Sequence, residues 1–395
     1  MRKMYSLRFT ITLMLFASAL TLVLTLSYLS VPVSSGNEIR DAAREYIALL
    51  EKIDECFIGS YDIGSINDAA LRSAVAALGD RWSYYMTPEE YSSFQTGSRN
   101  QFAGIGVGVV IDSNTGGMAV LYTYRNSPAE NAGVLAGDVI IGIDGKDITG
   151  LSLSEMREIL ARPYGETAEI DIIRIDGSLE TILVKYDLVF SDPIKYDLLD
   201  DKIGYISIAN FEGGSADGFI RAVDHLLQQD ARAIIFDVRN NGGGRVVEMT
   251  RMLDYLLPEG EIFISVDKHG KYETTVSDPE MIDIPSVVIV DRYSFSAAEY
   301  FAAILKEFDY AEIVGEQTSG KSRSQSTIIL PSGSALHIST GQYFTKNKVA
   351  LFDVGGLTPD HLISLTAEEY MLFVSGNLKK EDDPQIQYAI SIFEN

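Results

Sequence analysis

Cysteine is nearly absent from this chain of 395 residues, which contains only Cys56. A single thiol cannot form an internal disulfide, and it excludes a cysteine-based zinc site. We expect Cys56 to make a small apolar contact within an N-terminal helix. The histidines His225, His269, His337 and His361 show no ligand-like spacing, so the sequence predicts neither a metal site nor a cofactor.

Basic residues are scarce as well. The chain has 32 lysines and arginines against 56 aspartates and glutamates, which gives a formal net charge of −24. Such a field repels phosphate backbones, so a nucleic-acid partner is not expected. A hydrophobic fraction of 46% is enough to form a folded core. The length of 395 residues exceeds the usual size of a domain with a single core. We therefore predict two to three domains.

Residues 9–30 carry no charged side chain, and they match the ~20 apolar residues that cross a bilayer. Arg2, Lys3 and Arg8 precede this run, which predicts a cytoplasmic N-terminus over residues 1–8. The sequence thus predicts a single-pass protein of the cell membrane with the bulk of the chain outside the cytoplasm. A cleavable signal peptide, cut at the small residues 33–35, is the alternative interpretation.

Residues 37–98 show helical patterning, and we interpret them as a helical adaptor. Their apolar residues recur on one stripe, which comprises Ile39, Ala42, Tyr46, Leu49, Leu50, Ile53 and Phe57. A second helix is predicted over residues 68–78, ending at Gly79.

Short β-rich runs, separated by Gly, Asn and Asp turn signals, fill residues 99–188. They predict a small β domain with one helix over residues 152–160. Ser152 is the expected cap of that helix, with Glu155 at the capping-box position.

Strands alternate with helices across residues 189–366, which is typical of an α/β layer with a buried, partly parallel sheet. Helices are predicted over residues 216–229, 246–257 and 297–308. Residues 367–395 again have a helical pattern, with a charged break at 379–383. The complete chain is predicted to have a multidomain α+β fold.

Two stretches within the β domain resemble PDZ domains, in the permuted form found in bacterial proteases. They are FAGIGVG at residues 102–108 and SPAENAGVLAGDVIIGIDG at residues 127–145. A peptide carboxylate needs converging backbone N–H groups, and glycines permit such a loop. Gly104, Ile105 and Gly106 are therefore the predicted peptide-binding residues. The alternative is an ordinary glycine-rich hairpin.

The sequence DRYSFSAAE places Ser296 just before a predicted helix. Serine is a common helix cap, and Glu299 fits the third position of a capping box. The same placement also suits a nucleophile, because the helix N-terminus and the N–H of Ala297 can stabilise a developing oxyanion. These two interpretations are compatible.

Residues 315–322, GEQTSGKS, match the G-x-x-x-x-G-K-[ST] pattern of a phosphate-binding loop. Such a loop opens a helix, whereas the residues after Ser322 predict a β-hairpin with Pro331, Ser332 and Gly333 at its turn. A general base is the better interpretation of Lys321, since burial lowers the pKa of a lysine and a serine needs a group to accept its proton. Gln325 is neutral and suited to hold the amine by hydrogen bonding.

Together with the glycine run that follows Asn241, these motifs resemble the C-terminal processing peptidases, also called tail-specific proteases. Ser296 and Lys321 lie 25 positions apart, and Gln325 follows Lys321 by four, as the catalytic groups do in that family. The resemblance extends over nearly the whole chain, including LGDRWSYYMTP at residues 78–88 and DPQIQ at residues 383–387.

The resemblance implies a serine endopeptidase with a Ser-Lys dyad and an α/β peptidase core. By the same alignment, the amides of Gly243 and Ala297 form the oxyanion hole. Its substrates would be exported or membrane-attached proteins with accessible C-termini, and a homodimer through the terminal segments is expected. The alternative, from another functional class, is a catalytically silent PDZ scaffold.

The chain departs from the family pattern at positions around the catalytic groups. The family's Asn-Pro-Gly-Gly has Gly242 in place of proline, and the small residue before the nucleophile is Phe295. Ser322 replaces the glycine after the lysine, and Glu307 replaces an aspartate in the helix after Ser296. None of these changes removes a catalytic group.

Overall fold

The computed structural model describes residues 36–394. Two compact units divide the chain, one extending to Asp68 and the other beginning at Ala69. The predicted membrane helix over 9–30, the cytoplasmic residues 1–8 and the cleavage site at 33–35 lie outside the described residues. Within residues 36–394, no helix is both long and apolar enough to cross a membrane.

The first unit contains the predicted amphipathic helix, α1 (Gly36–Cys56). Ile39 and Leu49, on its apolar stripe, are exposed. Cys56 is exposed as well, because it lies at the helix end, so the expected apolar contact of this thiol is wrong. The second helix, α2 (Ile63–Ala76), begins earlier than predicted, since the Asp62 carboxylate accepts the N–H of Ser65 in its first turn (2.7 Å).

The remainder of the adaptor contains one strand and one helix, β1 (Tyr84–Met86) and α3 (Pro88–Gly97). Thr87 and Glu90 form a capping box at the start of α3. The strand was not predicted. It pairs with a strand about 250 residues further along the chain, with Tyr84 opposite His337.

The β domain is built on a sheet with strand order β3-β4-β5-β7-β8, with β6 paired to β5; a separate two-stranded ribbon joins β2 to β9. The strands are β2 (Gln101–Gly104), β3 (Val107–Ile111), β4 (Met118–Thr123), β5 (Val139–Ile143), β6 (Lys146–Asp147), β7 (Thr167–Ile173), β8 (Leu179–Lys185) and β9 (Asp187–Phe190). Its helices are α4 (Pro128–Asn131) and α5 (Leu153–Leu160), and the predicted Ser152–Glu155 capping box on α5 is confirmed.

A six-stranded sheet of order β10-β11-β12-β15-β16-β19 forms the centre of the α/β region. Its strands are β10 (Ile194–Leu198), β11 (Ile203–Ile208), β12 (Ala233–Asp237), β15 (Ser286–Val290), β16 (Ala311–Gly315) and β19 (His361–Leu362). All pairs except β10–β11 are parallel, which confirms the predicted partly parallel sheet. The carboxyl ends of the parallel strands therefore meet at one edge.

Helices cover both faces of this sheet. One face packs against α6 (Ser215–Gln228), α7 (Val246–Leu256) and α8 (Ala297–Glu307), all within about one residue of the predicted bounds. The other face packs against the last helix, through Ile386 and Ala389. Alternate residues of a strand point to opposite faces, so a strand covered on both faces, such as β12, is buried along its whole length.

A second, antiparallel sheet has the order β1-β18-β13-β14, with β17 paired to β18. It contains β13 (Gly260–Asp267), β14 (Tyr272–Ser277), β17 (Arg323–Ile329) and β18 (Ala335–Phe344). The hairpin of β17 and β18 was predicted from its turn residues and is confirmed. The β13–β14 hairpin was not predicted.

The C-terminal segment is helical, as predicted. It consists of α9 (Ala367–Val374) and α10 (Pro384–Ile392), separated by a 3-10 turn at Lys380–Asp382 in the charged break.

Candidate active site

Ser296 occupies the turn between β15 and α8, at the carboxyl edge of the parallel sheet. Its backbone adopts φ 60° and ψ −124°, a conformation that is costly for a residue with a side chain and that surrounding contacts must hold. Ser294 supplies one such contact, since its buried hydroxyl donates to the carbonyl of Val238 (2.7 Å). The strained turn therefore presents Ser296 in a defined position.

The glycine run lies directly against this serine. A Cβ added to Gly243 would come within 2.8 Å of Ser296 Cβ and 2.9 Å of the Ala297 nitrogen. The loop is held by Asn241, which is fully buried and donates its side-chain amide to the carbonyl of Ile208 (2.7 Å). A side chain at position 243 would displace the Ser296 turn.

The two predicted oxyanion donors differ in their availability. The N–H of Ala297 has no hydrogen-bond partner among residues 36–394. The N–H of Gly243 donates to Asn241 Oδ1 (2.8 Å). The structure thus brings both residues to Ser296 but leaves only Ala297 free, because the Asn241 side chain reaches the amide two residues further on.

Glu299 joins the serine turn to the lysine loop. Its carboxylate is fully buried and accepts the N–H of Ser296 (3.1 Å), the N–H of Lys321 (2.7 Å), the N–H of Gly320 (2.8 Å) and the hydroxyl of Thr318 (2.6 Å). Burial raises the pKa of this carboxyl, and the four donors oppose that rise. The sequence suggested Glu299 as a helix cap. Its hydrogen bonds to the lysine loop join segments that are more than 20 residues apart in the chain, and they were not predicted.

The loop before Lys321 leads into the strand β17, and it therefore does not open the helix that a phosphate-binding loop requires. Burial lowers the pKa of Lys321 to about 8; Asp80 and Glu299 oppose this shift, while Arg81 adds to it. Its Nζ lies 4.2 Å from the ring centroid of Trp82. Within the described residues, no hydrogen bond or ion pair reaches this amine, either from Ser296 Oγ or from another group.

Tyr343 bridges the two catalytic segments. Its buried hydroxyl donates to the carbonyl of Lys321 (2.5 Å). Burial raises the pKa of Tyr343, and the nearby Ser296 hydroxyl opposes that rise. The phenol therefore lies between the backbone of Lys321 and the side chain of Ser296. No sequence motif pointed to Tyr343.

Gln325 lies in the same cleft as Lys321 but does not hold its amine in this structure. Its side-chain amide donates instead to the carbonyl of Arg323 (3.0 Å) and to the hydroxyl of Ser339 (3.0 Å). In this structure the amine of Lys321 lies against the ring of Trp82 instead.

The adaptor motif around residue 80 supplies one wall of the cleft. Trp82 packs against the ring of Phe295 (5.5 Å between centroids) as well as against Lys321. Phe295 fits because residue 242 is glycine, where an added Cβ would lie 3.0 Å from the Phe295 ring. Gly242 and Phe295, both departures from the family pattern, are thus adjacent in space.

The predicted catalytic residues Ser296, Lys321 and Gln325 line one cleft of about 690 Å³. Behind Ser296 lies a small pocket of about 10 Å³. Apolar and aromatic side chains dominate its lining, which comprises Val246, Met249, Phe263, Ala297, Tyr300 and Tyr343 with Gly244 and Ser296. This volume corresponds to about one water molecule, and no charged side chain is among the residues that line the pocket.

A buried ion network lies beneath the glycine loop. Arg239 donates to the carboxylates of Asp237 (2.6 Å) and Asp383 (2.8 Å), and to the side-chain oxygen of Gln385 (2.8 Å). Although burial opposes its charge, the neighbouring carboxylates raise the pKa of Arg239. The DPQIQ stretch therefore fastens the C-terminal segment to the strand end that precedes the glycine run.

In the β domain, the predicted peptide loop lies beside the unpaired edge of β3. The carbonyls of Ile105 and Gly106 accept the N–H groups of Ala129 (2.8 Å) and Tyr124 (2.9 Å). The N–H groups of Ile105 and Gly106 have no partner in the part of the chain that the structure describes. Gly106 has φ +77°, and an added Cβ would collide with Ser127 at 2.4 Å. This geometry suits a carboxylate.

Comparison with known proteins agrees with this arrangement. Residues 202–363 match peptidase family S41, and residues 120–174 match the PDZ domain family. The carboxyl-terminal-processing protease of Picosynechococcus sp. is 28% identical over 335 residues, covering 82% of this chain and 78% of that protein. The carboxy-terminal processing protease CtpA of Bacillus subtilis is 27% identical over 331 residues, covering 83% and 71%.

Among solved structures, a Bacteroides fragilis protein described as an S41 protease superposes with a TM-score of 0.52 at 16% sequence identity, covering 86% of this chain and 92% of that one. This likeness supports the fold. The resemblance drawn from the Ser296 and Lys321 motifs is confirmed by the family matches. The chain is therefore similar to peptidase family S41 over residues 202–363 and to the PDZ domain family over residues 120–174, and it is a serine-type peptidase.

Proposed function

We propose that this peptidase cleaves proteins near their C-termini, with Ser296 as nucleophile and Lys321 as general base. The observation that carries the proposal is the Glu299 carboxylate, which binds both the Ser296 turn and the Lys321 loop beside one cleft. The lowered pKa of Lys321, about 8, supports its role, because a useful fraction of the amine is then neutral near physiological pH.

In the proposed reaction, Ser296 Oγ attacks the scissile carbonyl carbon while the neutral Lys321 amine takes its proton. The N–H groups of Ala297 and Gly243 stabilise the oxyanion. Lys321 then donates its proton to the departing amine, which leaves an acyl-enzyme. A water molecule attacks this ester as Lys321 again accepts a proton, and Ser296 is released with its hydroxyl restored.

Two local movements complete this mechanism. Lys321 Nζ must leave the ring of Trp82 to reach Ser296 Oγ, with Gln325 as its proposed hydrogen-bond partner. The Gly243 N–H must leave Asn241 for the oxyanion. The first is a rotation of the Lys321 side chain and the second a rotation of the Asn241 side chain, and the strained turn at Ser296 stays in place in both. Substrate binding in the cleft is the event that we propose drives them.

The proposed substrate is a protein tail whose carboxylate binds the loop of Gly104, Ile105 and Gly106 and whose chain extends along β3. The small apolar pocket behind Ser296 favours a small apolar residue, such as alanine, on the acyl side of the scissile bond.

The test is cleavage of tail peptides by the purified chain, with the cut sites read by mass spectrometry. We expect cuts after small apolar residues close to the C-terminus, and slower cleavage of the same peptides with an amidated C-terminus. Cuts spread evenly along internal sequence, with no effect of amidation, would refute a C-terminal preference while leaving the peptidase assignment in place.

The pH profile offers a separate prediction. Since Lys321 must be neutral to act as base, kcat/KM is expected to rise with pH and to level off above about 8. Arg81→Gln removes a positive charge that lowers the pKa of Lys321, so it should shift the profile to higher pH. Asp80→Asn removes a negative charge that raises this pKa, so it should shift the profile to lower pH. Shifts in the same direction for both variants would contradict the assignment of the base.

For the whole chain, we propose the domain organisation read from the sequence: cytoplasmic residues 1–8, a membrane anchor at 9–30, the helical adaptor at 37–98, the PDZ domain at 99–188, the peptidase core at 189–366 and the C-terminal helical segment at 367–395. Anchoring would hold the peptidase on the outer side of the cell membrane, and the terminal segments would form a homodimer. Membrane fractionation and sedimentation analysis of the intact chain test these two proposals.

A further inference from the structure

The catalytic cleft carries a charge opposite to that of the protein around it. The whole chain has a formal net charge of −24. Among the described residues that line the cleft, however, the basic side chains are Arg99, Arg245, Lys321 and Arg323, and the only carboxylate is Glu212. On an average surface of a protein with this net charge, carboxylates would outnumber basic side chains.

Two of these arginines have guanidinium groups without a partner in the described part of the chain. Within residues 36–394, no hydrogen bond or ion pair engages the guanidinium groups of Arg99 and Arg245, whereas Arg323 approaches Asp80 (3.7 Å). Both residues are exposed to the cleft. A guanidinium group binds a carboxylate through two parallel hydrogen bonds. Two guanidinium groups that lack partners and lie beside a peptide cleft are therefore suited to bind a carboxylate.

The two arginines lie close to each other around Gly213. A Cβ built on Gly213 would be 3.3 Å from Arg99 Cα and 3.5 Å from Arg245 Nη1. The N–H of Gly213 also donates to the carbonyl of Ser98 (3.0 Å), which fixes the chain before Arg99 against this loop. Arg99 directly follows the adaptor and Arg245 directly precedes α7, so only the folded chain brings them together.

The N-terminus of α7 adds to the positive potential. Arg245 immediately precedes Val246, the first residue of this 11-residue helix. Unpaired N–H groups of a first helical turn attract anions. Val246 and Gly244 line both the cleft and the small apolar pocket behind Ser296. The arginines are therefore next to the position of the scissile bond.

Glu212 lies beside Arg245, and its Oε2 is buried without a hydrogen-bond partner in the described part of the chain. Burial raises the pKa of this carboxyl to about 7, which Arg245 opposes and Glu248 increases. Glu212 is thus a weakly ionised neighbour. Where it is ionised, it competes with a bound anion for Arg245.

We propose that Arg99 and Arg245 form a carboxylate-binding subsite in the catalytic cleft, which selects peptides that carry a carboxylate close to the scissile bond. This proposal rests on the peptidase function proposed above and extends it to the specificity of the cleft. The carboxylate comes from an Asp or Glu side chain or from the peptide's own C-terminus. Either source offers the same two oxygens to the arginines.

The test compares three peptides of one length and one cleavage sequence. The first has an acidic residue near the cut and an amidated end, the second is neutral with a free C-terminus, and the third is neutral and amidated. The Arg99→Gln/Arg245→Gln double variant should raise KM about tenfold for whichever carboxylate-bearing peptide uses the subsite, with kcat retained. Cleavage of the neutral, amidated peptide should not change.

Two further variants sharpen the comparison. Glu212→Gln removes the competing carboxylate and should lower KM for the same peptide. Arg251→Gln removes an arginine that pairs with Asp217 outside the cleft and should have no effect. Added salt should reduce the wild-type preference, because the site is open to solvent.

Equal changes for all three peptides in the double variant, or no change for any of them, would overturn the subsite. If no peptide is cleaved by the wild type, the proposed peptidase function fails separately. The subsite is then tested by binding of the same labelled peptides to the Ser296→Ala variant. A tenfold loss of affinity for the anionic peptide upon the double substitution would support it, and equal affinities would refute it.

Discussion

Lys321→Ala is expected to lower kcat/KM for a tail peptide by about 10³-fold or more, because the proposed mechanism assigns every proton transfer to this lysine. The fold should remain intact or become more stable. Burial lowers the pKa of Lys321 to about 8, so at pH 7 folding holds a mostly protonated amine where its charge is disfavoured. Peptide cleavage and thermal melting at pH 7 measure both effects.

The matched control is Lys306→Ala. Lys306 lies on α8 and pairs with Asp360 (2.7 Å), away from the cleft. Its removal should leave cleavage within about twofold of wild type, since exposed pairs contribute little. Ser296→Ala should abolish cleavage to the same degree as Lys321→Ala, and the double variant should be no worse, because the two groups act as a unit.

A fluorophosphonate probe distinguishes the peptidase from a silent scaffold. Labelling of the wild type, and none of Ser296→Ala, is the expected result. Wild-type turnover by Lys321→Ala would remove this lysine from the mechanism. A chain that binds tail peptides through its PDZ domain but never reacts with the probe would favour the scaffold.

Arg239→Ala is expected to destabilise the protein by about 3–5 kcal/mol, since it leaves the carboxylates of Asp237 and Asp383 buried without their cation. Arg239 is also the residue that holds the DPQIQ stretch against the core, through Asp383 and Gln385. We therefore expect faster hydrogen exchange in α10 than in the wild type. Urea unfolding and exchange mass spectrometry provide the two measurements.

Arg251→Ala is the control for this prediction, because its pair with Asp217 is half-exposed and should contribute at most about 1 kcal/mol. The two substitutions remove the same side chain and differ in burial. Similar losses of stability in both variants would show that the network around Arg239 does not fasten the C-terminal segment.

Local patterns explain why much of the fold was predictable. The bounds of α6, α7 and α8 followed from apolar periodicity, and the Ser152 cap of α5 followed from its capping box. The turn at residues 331–333 predicted the β17–β18 hairpin and so excluded the phosphate-binding loop. Each of these depends on neighbours within a few positions, which is the range that periodicity and capping report.

The site was predictable in its members but not in their contacts. Spacing along the chain identified Ser296, Lys321 and Gln325, yet it gave no sign that Lys321 turns to Trp82 or that Gln325 binds Ser339. The Gly243 amide likewise bonds to Asn241, although both residues were in the predicted loop. Side-chain rotamers depend on packing from several segments, and sequence spacing does not report them.

The sequence by itself predicted the order of the domains, the resemblance to the C-terminal processing peptidases and the pair of residues expected to perform the chemistry, because short motifs at set intervals carry that information. Only the tertiary structure decided which distant groups complete the cleft. Trp82 comes from the adaptor, Tyr343 from β18, Arg99 from the segment that follows α3 and Asp383 from the C-terminal segment. Their positions result from burial and hydrogen bonding across hundreds of residues, and no local pattern records such contacts.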